Sequence, residues 1–288
     1  MGYMLPTLLL FISIGIILSL TGVMLGIIAI VYRSREAIAR ALGILILGIV
    51  FLIAFTFQDN VIGNLQQQFG YEISTIQSLE VPKLNALKGA PTGVPSGAWN
   101  TYSTYIILVQ LLFMISIIIL GYLGVQVIGV EGIRKIGLLG IIIAIPLLEF
   151  ILSYVSLNQI LNGNTEQGVR YRDLSNILKI LSVIISLGLT SVALFNVYRD
   201  VGEKFYLVQA SGWLILLLGL VILNYITLTS WEEGAIEKIQ EGDLGSVINT
   251  FRIVTFLLLV GSIGILAGSL LEIVPTAAEA EELEEAGE

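Results

Sequence analysis

The sequence predicts an all-α integral membrane protein with seven transmembrane helices. Three observations predict it: seven long apolar stretches set apart by polar ones, a charged fraction of 12% against 56% apolar residues, and a mean hydropathy of +0.93. A soluble domain carries about 25% charged residues. A crossing needs roughly 20 apolar residues for about 30 Å of hydrocarbon. The stretches that qualify are 5–32, 41–57, 102–130, 136–157, 177–197, 205–228 and 251–274, the second being the shortest. No stretch alternates polar and apolar residues over a barrel strand's length, so the spans are helices and not strands of a membrane barrel.

The first stretch lacks the basic start and small-residue cleavage site of a secretory signal and is expected to remain as a span. Arg33, Arg35 and Arg40 follow it, which by the positive-inside rule sets the amino terminus outside and this turn in the cytoplasm. The turns after the third and fifth stretches carry Arg134, Lys135, Arg199 and Lys204 and agree. Seven Lys/Arg fall on each side, but the outer ones are spread through long connections or helix entrances, where the rule weighs them less. The carboxyl terminus then lies inside, and the membrane expected from the Ile-rich, Cys-free composition is a prokaryotic plasma membrane.

The outer connections read as long: 58–101, 158–176 and 229–250. In the first, Ile62, Leu65, Phe69, Ile73, Ile76 and Leu79 recur every three or four residues with glutamines between them, which predicts an amphipathic helix. Its apolar stripe is expected to bind a partner, cap the bundle or lie on the membrane. Pro82, Pro91 and Pro95, with Gly89, Gly93 and Gly97, then predict irregular chain.

The turn Val31-Tyr32-Arg33 reappears as Val197-Tyr198-Arg199, and stretches beginning at Gly43, Gly140 and Gly212 follow the three basic turns. These similarities read as three parallel helical hairpins plus a seventh helix, against the alternative of chance in so biased a composition. Residues 1–274 form the membrane domain, and 275–288 form an acidic cytoplasmic tail with six Glu and no basic residue, expected to be solvated and disordered or partly helical.

Missing residue types exclude much. With no His and no Cys the chain offers no His-ligated haem, no Cys-bound cluster, no ordinary zinc site, no thiol enzyme and no serine–histidine hydrolase, so neither catalytic residues nor a cofactor are expected. The four Asp residues, Asp59, Asp173, Asp200 and Asp243, read as lying in connections, which leaves a paired-Asp protease without helices to sit on. The last stretch has no Lys for a retinal Schiff base, and no glycine-rich phosphate loop is present. Nucleic acid is not an expected partner.

Glu149 is the carboxylate that lies well inside a span, roughly 13 Å below its outer end at about 1.5 Å per residue. Buried there, it must be paired, protonated or wet. Lys179 and Arg252 enter from the same side, and Lys179 is the closer in sequence. The functional reading is an intramembrane proton or cation site, and the structural reading is an ion pair that fixes packing. Gln110 and Asn224 are further in-span polar groups that form a solute pocket with Glu149 if the helices bring them together. Gly22 and Gly26, like Gly264 and Gly268, are spaced for close helix packing, within the bundle or with another subunit.

The leading expectation is a non-catalytic membrane subunit or scaffold that packs with the bilayer and with other subunits or copies of itself. The alternative is a small-solute or proton-coupled transporter in which Glu149 titrates.

Overall fold

In the computed structural model, residues 4–31, 34, 37–53, 96–162, 164–226, 228 and 244–285 are described, and they form seven α-helices with no strand among them. These are α1 (Met4–Val31), α2 (Ala37–Ile53), α3 (Ser96–Ile128), α4 (Gly132–Leu161), α5 (Thr165–Val201), α6 (Lys204–Ile226) and α7 (Leu244–Glu285). Six are long and apolar enough to cross a membrane. The exception is α2, whose 17 residues rise about 25 Å, near the lower limit for a span.

The turns follow from local chemistry. Ser34 precedes α2, its Oγ accepting the Ala37 N–H at 3.3 Å and so supplying one of the bonds a helix start lacks. Gly129 and Gly132, with φ of 72° and 62°, make the α3–α4 turn in a left-handed conformation that a side chain would strain. Gly202 ends α5 at φ 85°, its N–H bonding to Tyr198 O at 2.7 Å, and α6 starts two residues later.

One expectation about the connections is corrected. Residues 158–176 are not a long loop: α4 runs to Leu161 and α5 begins at Thr165. Glu166, Arg170 and Asp173 therefore lie on α5, as does Asp200 near its end, and Glu166 and Arg170 pair at 2.7 Å one turn apart. Of the acidic segment, the part up to Glu285 is helical, continuous with α7. At 37 and 42 residues, α5 and α7 rise about 55 and 63 Å, more than the roughly 45 Å of a whole bilayer.

Glycines and hydroxyls set the packing. A Cβ at Gly22 would strike the Leu45 backbone at 2.6 Å, one at Gly43 would meet Leu120 at 3.0 Å, and one at Gly121 would meet Ser186 at 2.7 Å. A Cβ at Gly212 would meet Ile265 at 2.7 Å and Gly261 at 2.9 Å. Small residues let helices approach where lipid supplies no hydrophobic drive. Hydroxyls then bond across the gaps: Ser116 Oγ to Gly43 O at 2.8 Å, Thr190 Oγ1 to Leu120 O at 3.0 Å, Ser191 Oγ to Ala210 O at 2.8 Å and Ser156 Oγ to Gly168 O at 2.6 Å.

These contacts trace a closed cycle in which α1 packs on α2, α2 on α3, α3 on α5, α5 on α6, α6 on α7 and α7 on α1. All six share one apolar core that includes Leu18, Leu47, Ile117, Leu187, Trp213 and Leu258. The helix α4 lies outside the cycle, packed on α5 and α3 and contributing nothing to that core. Only 17% of its span is buried, against 33–44% for the other candidate spans. The α1–α2, α3–α4 and α5–α6 turns share one end of the bundle, which carries Arg134, Lys135, Arg199 and Lys204 and is called the basic end; the α4–α5 turn lies at the far end.

Candidate functional site

The site begins with Glu149. Antiparallel packing of α4 on α5 brings it against Lys179, with Nζ 3.2 Å from Oε1. Ser175 Oγ lies 3.1 Å from the Glu149 carbonyl oxygen and 3.4 Å from Oε1. The carboxylate is 1% exposed and the lysine 15%, so the pair is sealed from solvent. Charges this buried persist only when paired, and removing one partner strands the other. Arg252 takes no part: it is exposed on α7, which packs on α6 and α1.

Gln110 and Asn224 lie on other helices, α3 and α6. Gly121 lies against Ser186 and Gly124 against Leu189, and this parallel register, carried three turns towards the far end, sets Gln110 level with Ser175. Gln110 thus shares a level with Glu149 while the glutamate is already engaged by Lys179 and Ser175. Asn224 Nδ2 donates to Leu220 O of its own helix at 2.8 Å. Gln126, another in-span amide, accepts from Lys135 Nζ at 2.8 Å beside the α3–α4 turn.

A second polar group at the basic end joins residues far apart in sequence. Arg40 Nη2 on α2 lies 2.7 Å from Glu272 Oε2 on α7, and Gln209 Nε2 on α6 donates to the same oxygen at 2.7 Å. Gln209 is 2% exposed. Glu272 sits at the last turn of the apolar stretch. No group of three or more His, Cys, Asp or Glu residues suited to a metal ion occurs among the described residues.

The glycines chosen from sequence face inward. Gly22 abuts Leu45, Gly26 faces Ala41 at 3.7 Å, Gly264 abuts Gly212 and Gly268 abuts Gln209. A different small-residue stripe faces outward on α4. Gly137, Gly140 and Ala144 are exposed, and a Cβ at either glycine would meet nothing within 4 Å among the described residues. Ile133, Ile136, Leu147 and Leu148 flank it, also exposed. The amphipathic segment of Ile62, Leu65, Phe69, Ile73, Ile76 and Leu79 lies outside the described residues.

A sealed ion pair, a three-helix polar clasp and an open notch on a peripheral helix are what the fold assembles from this composition. No protein-family model, curated protein or solved structure matches the chain.

Proposed function

We propose that the protein is a non-catalytic integral membrane subunit, and that α4 docks a transmembrane helix of a neighbouring chain. The carrying observation is the open notch of Gly137, Gly140 and Ala144. Lipid covers isoleucine and leucine side chains well, whereas exposed helix backbone gains most from the close approach of another helix. Tight glycine packing inside the cycle, as at Gly22 and Gly212, illustrates the use to which such residues are put in this chain. The apolar core of the cycle supports the same reading, because large side chains fill its middle. The basic end faces the cytoplasm on this reading, in keeping with the positive-inside rule.

The test is the mass of the native assembly in mild detergent, with every co-purifying chain identified. Stoichiometric foreign chains or a second copy are expected, and Gly140→Leu is expected to release them while leaving the unfolding midpoint of the chain unchanged. A monomer, or an assembly indifferent to Gly140→Leu, contradicts the proposal.

The second reading is a proton-coupled transporter, favoured by one observation: a carboxylate 1% exposed within a span. It requires pH-dependent flux in liposomes that Glu149→Gln abolishes. Flux unaltered by that substitution removes Glu149 from the role.

A further inference from the structure

We infer that the Arg40–Glu272–Gln209 group is a releasable strap that closes the basic-end mouth of the six-helix cycle. The inference is independent of whether the bundle serves as a subunit or a carrier. It begins with where α2 is anchored. Its backbone is packed against α1 at Gly22 and Gly48 and against α3 at Gly43, and the Ser116 hydroxyl bonds it to α3. At this end a side chain also ties it to α6 and α7, Arg40 reaching Glu272 with Gln209 holding the same carboxylate oxygen. The neighbouring seams are of another kind. Between α6 and α7, Gly212, Gly219, Gly261, Gly264 and Gly268 all bring backbone or side chain too close for an added Cβ, so that seam cannot part without breaking close packing.

The strap is built to let go. Arg40 binds through one nitrogen, and its Nε is buried without a hydrogen-bond partner among the described residues. A guanidinium engaged at one point lacks the two parallel bonds that make arginine–carboxylate pairs firm. The side chains are 19% and 25% exposed, against 15% and 1% for Lys179 and Glu149 towards the far end. Next along the chain from Arg40 and Gln209 come small and apolar groups of the shared core: Ala41 on α2, and Ala210 and then Trp213 on α6. Releasing Arg40 removes the polar tie over these residues and admits water between α2 and α6.

Because the chain has no Cys, single cysteines report this directly. Ala41→Cys and Ala210→Cys, both buried near the strap, are reacted with a membrane-impermeant maleimide in detergent, and Ser182→Cys, buried in the far half of α5, serves as the control. Arg40→Gln and Glu272→Gln are each expected to raise labelling at positions 41 and 210 roughly tenfold, the change that goes with losing one charge-assisted hydrogen bond. Position 182 stays protected, and the exchanged pair Arg40→Glu with Glu272→Arg restores protection, since Gln209 can turn its oxygen to the arginine. Unchanged labelling at 41 and 210 overturns the strap. Equal acceleration at 182 also overturns it, because the pair then supports the whole bundle and not one mouth, as does failure of the exchanged pair to restore protection.

Discussion

Glu149 shows how an apolar span tolerates a charge. Its carboxylate and the Lys179 ammonium are withdrawn from water together, so the pair adds little net stability while each member depends on the other. Lys179→Met is therefore expected to lower unfolding stability by about 3–5 kcal/mol, whereas Lys179→Met combined with Glu149→Leu recovers most of the loss. Chemical unfolding in mixed micelles measures both, and equal losses in the single and double variants contradict the pairing. The pairing was legible in the sequence, since both residues lie on helices joined by one connection at similar depth. Arg40 and Glu272 were not legible: 232 positions separate them, and nothing local marks either as the other's partner. The buried hydroxyls of α5 fall between these cases. Ser175, Ser182, Ser186 and Thr190 recur at helical spacing along α5, a stripe that periodicity analysis of apolar residues passes over.

Helices in this chain differ in what their glycines do. Gly22 and Gly212 sit where an added Cβ meets backbone at 2.6 and 2.7 Å, while Gly140 faces open space. Gly22→Leu and Gly212→Leu are expected to lower the yield and melting temperature of the folded protein sharply, and Gly140→Leu to leave both unchanged or slightly higher, because leucine is the better helix former. Thermal melts of the three variants side by side check this; a destabilised Gly140→Leu chain in the absence of any partner places that glycine inside the fold's own packing. From sequence, Gly137 and Gly140 look like their counterparts in other helices. Which face of a helix meets protein and which meets lipid is set by neighbours, and both faces are apolar. Element ends were misread for a related reason: the polar residues of 158–176 suggested a loop, yet they extend α4 and α5 beyond the apolar stretch, with Glu166 and Arg170 paired along the surface.

At the scale of the molecule, alternating helix direction gathers the α1–α2, α3–α4 and α5–α6 turns at one end. Cysteine introduced at Glu203, in the α5–α6 turn, and at Asn162, in the α4–α5 turn, tests which side that end faces. In right-side-out vesicles an impermeant reagent is expected to label position 162 and spare position 203. The reverse pattern inverts the orientation and sets the acidic end of α7 outside. Closure of six helices around one core while a seventh stays at the edge is a property of the whole and has no counterpart in any single stretch.

Composition and apolar length by themselves determined the class, because a bilayer allows so little else: long apolar runs without backbone partners must become helices. They also determined where most spans fall and that histidine and cysteine chemistry is excluded. The tertiary structure alone decided that α4 is peripheral, that its glycines face outward and that Arg40 meets Glu272. In lipid the hydrophobic effect no longer distinguishes inside from outside, so the order of helices is settled by close packing and interhelical hydrogen bonds, and these depend on which faces meet.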